Sequence, residues 1–180
     1  MKYSSALAKD SFLCRVRNRR SWKLKGPFLA GKEVNHAVFD PRTGMLLATA
    51  NDVWFGSELM WSSDEGGNWT SAQGIAFGPE AGKTLERIWH IAPDLSSRST
   101  LFAGVAPAAL FRSDDRGESW AEVEGLSQHS TRSQWQPGAG GMCLHSIVFH
   151  PKDSRTMWVA RSWIAGEVIQ QGLAGGDDYR

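Results

Sequence analysis

One pattern occurs twice in this chain and constrains its folding more than any other feature. Ser62-Ser63-Asp64-Glu65-Gly66-Gly67-Asn68-Trp69 and Ser113-Asp114-Asp115-Arg116-Gly117-Glu118-Ser119-Trp120 share Ser, Asp, Gly and Trp at one internal spacing. The copies stand 51 positions apart (Ser113 against Ser62) and align without a gap. Apolar runs precede both, Leu59-Met60-Trp61 and Leu110-Phe111. An apolar run, a cluster of turn formers and a returning aromatic spell strand, tight turn, strand. The Asp carboxylate can accept backbone N–H groups of its own turn. The Gly two residues on supplies a positive φ at little cost, and the Trp packs back beneath the turn.

A second repeated unit precedes each copy. Residues 34–41 (Val-Asn-His-Ala-Val-Phe-Asp-Pro) lead to 45–50, and residues 87–94 (Arg-Ile-Trp-His-Ile-Ala-Pro-Asp) lead to 100–105. A third instance, 144–151 (Leu-His-Ser-Ile-Val-Phe-His-Pro) leading to 156–160, has no octapeptide after it. Each is two runs of β-formers joined by a turn containing Pro. One full unit is a four-stranded meander of roughly 50 residues, the size of a propeller blade. Residues 11–24 resemble a degenerate hairpin, with Trp22 in the Trp place and Arg17 and Arg19 in the Asp and Gly places. These arginines read as a solvated basic turn, since aromatic interleaving is absent.

The octapeptides resemble the Asp-box, or bacterial neuraminidase repeat, of propellers such as sialidases, xyloglucanases, sortilin-type receptors and photosystem assembly factors. The chain thus looks like a sialidase-like or sortilin-like repeat protein over residues 10–160. The resemblance implies an all-β fold, a partial β-propeller of four-stranded antiparallel blades with Asp-box hairpins. The expected division is 1–160 for the propeller and 161–180 for a divergent Gly-rich tail. Within the former lie a blade remnant (1–32), blades at 33–85 and 86–142, and the inner two strands of another at 143–160. A closed ring of six such blades takes about 300 residues. The chain therefore reads as an N-terminal, incomplete portion, expected to self-associate through open edges.

Composition narrows the partners. With 20 basic and 19 acidic residues the net charge is +1, which points to neither nucleic acid nor an anionic membrane. Two cysteines, Cys14 and Cys143, make neither a disulfide framework nor a zinc site. They read as reduced buried thiols. No apolar run reaches the length of a membrane span or a signal h-region, so a cytoplasmic address is expected. No cofactor and no metal are expected; His36, His129 and His145 lack the local spacing of a metal site.

In Asp-box propellers the box turns face away from the ligand. Ser62, Asp64, Gly66, Trp69, Ser113, Asp115, Gly117 and Trp120 are accordingly expected to be structural. Aligned on Pro41, Pro93 and Pro151, the first strands place Asn35, Arg87 and His145 at one position. They either converge at a channel mouth or satisfy local backbone groups. The long connection 129–141 adds His129, Arg132 and Trp135. Arg132 could hold a carboxylate or phosphate in bidentate fashion, and Trp135 could stack on a sugar, with little effect of either on stability. His36 adds to this face. Sialidase chemistry is disfavoured: it needs a Tyr nucleophile, and Tyr3 and Tyr179 fall in terminal segments. The leading reading is a non-catalytic binding or scaffold module for a carbohydrate, small anion or protein partner. One alternative is a glycoside hydrolase-like enzyme whose catalytic groups lie in blades beyond this chain. Another is a truncated, nonfunctional product.

Overall fold

The computed structural model describes the backbone of residues 2–7, 10–18, 21–52, 54, 56–72, 74–137, 141–153, 155–162 and 171–174. Their side chains are described except in 2–12, 14–22 and 171–174. Trp22, Arg17, Arg19, Cys14, Tyr3, Tyr179 and most of the 161–180 tail, on which expectations were placed, lie outside these side chains or segments. Two compact units divide the chain, Met1–Gln73 and Gly74–Arg180.

The first unit holds two antiparallel sheets. One has the order β1 (Lys2–Leu7), β2 (Asp10–Asn18), β3 (Ser21–Phe28). The expected hairpin is thus β2–β3, and β1 is an added strand paired along β2. The other sheet runs β4 (Glu33–Asp40), β5 (Met45–Asp52), β6 (Gly56–Ser62), β7 (Thr70–Ala72) in sequence order.

In the second unit a sheet of the same plan runs β8 (Arg87–Pro93), β9 (Leu101–Ala106), β10 (Ala109–Ser113), β11 (Ala121–Glu122). A one-turn helix, α1 (Glu124–Ser127), follows. The last sheet is β12 (Leu144–Phe149), β13 (Thr156–Arg161), β14 (Gln171–Ala174). The tail therefore supplies a third strand, where two had been expected. Backbone pairing with β13 can recruit such a Gly-containing segment despite its poor strand propensity.

Burial follows position in the meander. Residues 46–50 of β5 and the whole of β9 are buried, as strands covered on both faces must be. The outermost β7 and β11 are only three and two residues long, which limits the exposed edge. The core of the first unit gathers Val34, Ala48, Ala50 and Met60. In the second unit Ala92, Phe102, Leu110, Leu144, Ile147 and Val159 form a larger one. Small residues permit the closest approach. A Cβ on Gly104 of β9 would lie 2.5 Å from the Leu144 carbonyl oxygen of β12.

The first strands share two further features. Each carries a one-residue bulge, between Val34 and His36, between Ile88 and His90, and between Leu144 and Ser146. At the last residue of each strand, or the one just after it, a side chain accepts the backbone N–H two positions on. Asp40 accepts from Arg42 (2.9 Å), Asp94 from Ser96 (2.6 Å), and His150 Nδ1 from Lys152 (3.2 Å). Asp40, 2 % exposed, also takes both an Nε–H and an Nη2–H bond from Arg42. Burial alone would raise its pKa; the bonds and charge of Arg42 outweigh that and hold it below the ordinary value.

Candidate functional site

The repeated turns are closed hydrogen-bond circuits. Ser62 Oγ donates to Asp64 Oδ1 (2.7 Å) and accepts the Gly66 N–H (2.9 Å). Asp64 in turn accepts the backbone N–H of Asn68 (2.8 Å) and its side-chain amide (2.7 Å). The second turn repeats this with Ser113, Asp115, Gly117 and Ser119. Gly66 and Gly117 have φ of 88° and 95°; Glu65 and Arg116 before them are also left-handed, at 58° and 68°. Both Asp carboxyls are held well below the usual range. The backbone N–H of Asn68 acts most on Asp64, and the Ser119 hydroxyl on Asp115. Acceptors saturated by their own turn have little left for a ligand. Trp69 and Trp120 are half-buried beneath the turns, Trp69 against Phe28 and Trp120 donating Nε1–H to the Gly117 carbonyl (3.1 Å).

Strand pairing revises the alignment of the first strands. The residues bulged out of register are Asn35, Trp89 and His145. Each stands five positions before its turn acceptor, Asp40, Asp94 or His150. Alignment on the prolines had put Arg87 in this place. Pro93 precedes its turn acceptor whereas Pro41 and Pro151 follow theirs, so the proline is two positions early in the second repeat. Arg87 instead places its guanidinium over the Trp89 ring, 5.3 Å from the centroid.

Within the second unit β8 and β12 run side by side. The His90 ring hydrogen-bonds the backbone of His145 and of Ile147. Burial lowers its pKa most, the His145 charge adds to this, and the backbone bonds only partly offset it, leaving about 4. His90 is therefore neutral at physiological pH. In the first unit the His36 N–H donates to Thr49 Oγ1 (3.0 Å) next to the Asn35 bulge. Nearby, Asp52 Oδ1 accepts the N–H of Trp54 (2.8 Å), whose side chain is 88 % exposed.

The connection after β11 is packed against the sheet. Trp135, expected on an open loop, is only 6 % exposed and belongs to the core of the second unit. Its Nε1–H donates to Thr131 Oγ1 (3.1 Å), and His129 Nδ1 lies 2.9 Å from the same hydroxyl. Arg132 donates Nη1–H to the Ala108 carbonyl (2.9 Å). Two guanidiniums lie over the Trp135 ring, Arg132 at 4.5 Å and Arg161 at 4.7 Å. Burial pulls the Arg132 pKa below that of a free guanidinium; Glu122 opposes this and Arg161 reinforces it. A cavity of about 10 Å³, room for barely one water, is lined by Ala108, Leu126, Trp135, Leu144, Val159, Ala160 and Arg161.

Asn35 and His36 thus belong to the first unit, and Arg87, His129, Arg132, Trp135 and His145 to the second. Among the described residues no group of three His, Cys, Asp or Glu is placed to hold a metal, and no helix is long and apolar enough to cross a membrane. Cys143 is a buried free thiol. Sequence reasoning missed Trp89, hidden by the shifted proline, and Arg161. Arg161 pairs across from Leu144 just as Ala50 pairs across from Val34 and Val105 from Ile88. A charge where the other repeats bury an aliphatic side chain was the available signal.

Neither a scan of protein-family models nor a search of curated proteins gives a match. Solved structures do. The xyloglucanase of family GH74 from Xanthomonas campestris aligns with 88 % of the chain at 17 % identity and a TM-score of 0.59. The GH74 enzyme of Niastella koreensis aligns with 81 % at 18 % identity and a TM-score of 0.54. YCF48 from Cyanidioschyzon merolae aligns with 97 % at 12 % identity and a TM-score of 0.45. This chain spans 24 %, 23 % and 56 % of those chains, respectively. At these identities the two GH74 structures speak for the fold alone: the chain is an all-β, partial β-propeller.

Proposed function

We propose that this chain is an Asp-box-type propeller module that binds a ligand and does not transform it. One observation carries the reading: the bulge that recurs in the first strand of three sheets, at Asn35, Trp89 and His145. Bulges re-aim side chains and gather beside functional sites. In the second unit Trp89 and His145, with Arg87 stacked on Trp89, offer an aromatic face and hydrogen-bonding groups suited to a sugar. The self-contained Ser-x-Asp-x-Gly turns fit the structural role that Asp-boxes have.

The competing reading is a glycoside hydrolase-like enzyme, suggested by the names of the GH74 structures. Such chemistry calls for two opposed carboxyls, and the general acid among them needs a raised pKa. The described carboxyls with shifted acidity are Asp40, Asp64, Asp115 and Asp153. All four are shifted downward and tied into turns, which favours binding over catalysis. A glycan array probed with the purified chain tests both readings. The expected result is selective retention of one glycan class, weakened at least tenfold by Trp89→Ala or His145→Ala, without release of reducing ends. Release of new reducing ends from a retained glycan would establish the hydrolase instead.

A further inference from the structure

The β5–β6 hairpin is longer than its counterpart in the second unit. Ala50 and Val105 hold the same place in their sheets, yet Ala50 pairs onward with Glu58 and Val105 with Ala109. Seven residues (51–57) therefore stand beyond that pair in the first unit, against three (106–108) in the second. The short turn is lined by buried alanines, Ala106, Ala108 and Ala109. The long one continues the ladder through Asn51–Ser57 and Asp52–Gly56 and carries Trp54 at its tip, 88 % exposed. None of its described residues is buried, so among them the extension adds nothing to a core. The tip is nevertheless braced. Asp52 accepts the Trp54 N–H (2.8 Å), and Gly56, at a φ of 78°, closes the turn. Lys32, just before β4, bonds Glu58 (2.7 Å) and lies 4.0 Å from Asp52. The Asp52 and Lys32 side chains remain 20 % and 25 % exposed.

We propose that Trp54 is a stacking platform for a pyranose ring of a glycan, with Asp52 and Lys32 as partners for its hydroxyls. An indole offers a wide, rigid apolar face to the C–H groups of a sugar at low cost in side-chain entropy. The braced turn means that little further freedom is lost on binding. A protein partner would instead favour an aromatic surrounded by other contacts that exclude water. The other large apolar residues exposed among the described ones are Leu24 on β3, and Leu95 and Val148 in the second unit; none belongs to this hairpin. The hairpin tip lies at the bulged end of its sheet, because Asn35 falls between the partners of Ala50 and Thr49. The proposal rests on the reading of that end as a ligand face and gives the first unit its own sugar-binding residue.

The test is retention of the full chain on an array of immobilised glycans, read as half-saturation over a range of chain concentrations. Trp54→Ala and Trp54→Leu should raise the half-saturation concentration about tenfold, and Trp54→Phe, which keeps a flat aromatic face, by no more than about threefold. All three should melt within about 2 °C of the parent, as substitutions at an exposed site do. Unchanged retention in Trp54→Ala overturns the proposal, and so does Trp54→Leu binding like the parent or Trp54→Phe losing as much as Trp54→Leu. A clear drop in the Tm of Trp54→Ala overturns it too, by making Trp54 a structural prop. Self-association in sedimentation that Trp54→Ala abolishes, with glycan retention intact, makes Trp54 a contact between copies instead. If Trp54→Ala fails to fold, the contrast between the Phe and Leu variants decides. Loss in the Trp54 variants with none in Trp89→Ala or His145→Ala removes only the second-unit site proposed above. The reverse pattern removes only the Trp54 platform, and an array that retains nothing removes both.

Discussion

At the scale of single residues, the repeated Asp carboxyls make a pH-dependent contribution whose sign follows from their bonds. Asp64 and Asp115 have folded pKa values below their ordinary value of 3.8. Their stabilisation is complete above about pH 4 and is lost as pH falls through the folded values, where protonation breaks the accepted bonds. Melting temperature followed below pH 4 should decline less steeply in the Asp64→Asn, Asp115→Asn double variant than in the parent. An unaltered slope would mean that the turns are held by something other than these acceptors. Gly66 adds a second residue-scale expectation. A Cβ there would lie 2.8 Å from the Phe28 ring, whereas at Gly31 it would meet nothing, and both have a φ near +85° (88° and 85°). Gly66→Ala should therefore cost about 1–3 kcal/mol more than Gly31→Ala, read from chemical denaturation of the two variants.

At the scale of elements, the contact of β9 with β12 depends on having no side chain at Gly104. The atoms that an added Cβ would meet include the Leu144 backbone carbonyl, which cannot swing away as a side chain can. Gly104→Ala should cost about 2–3 kcal/mol and loosen the second unit before the first, visible as earlier hydrogen exchange in β12 than in β5. The connection after β11 behaves as an element of the core. With Trp135 buried among Leu126, Leu144 and Val159, Trp135→Ala should cost about 3–5 kcal/mol. This reverses the expectation of a binding loop that could be altered at little cost to stability. A melting temperature within a degree of the parent's would restore that earlier picture.

For the molecule as a whole, acid should act in two separate windows. His90 is neutral when folded because burial lowers its pKa to about 4, against an ordinary value of 6.5. The unfolded chain therefore binds a proton that the folded chain does not. Stability is full above about pH 6.5 and is lost as pH falls toward 4, by at most about 3 kcal/mol. The two Asp-containing turns then act below pH 4. His90→Asn should flatten the upper window and leave the lower one unchanged; a residual slope between pH 6.5 and 4 would point to other groups. Because His90 bonds the backbone of β12, the upper window should also report separation of β8 from β12 within the second unit.

The meander was legible in the sequence because its determinants are local. Strand alternation, turn formers and the Ser-x-Asp-x-Gly spacing act within a few residues, and the hydrogen-bond circuits of both turns close within six residues of Ser62 or Ser113. The bulge register was not legible. It depends on which residue of β5, β9 or β13 lies opposite, so alignment on prolines selected Arg87 where strand pairing selects Trp89. The surroundings of Trp135 were equally hidden, since a loop's composition does not reveal which sheet it will cover. Arg161 stood in view in the repeat, at the place of Ala50 and Val105. That it lies over the same indole as Arg132 was decided only by tertiary packing, which brings together side chains 29 positions apart (Arg132 and Arg161) that no local pattern links.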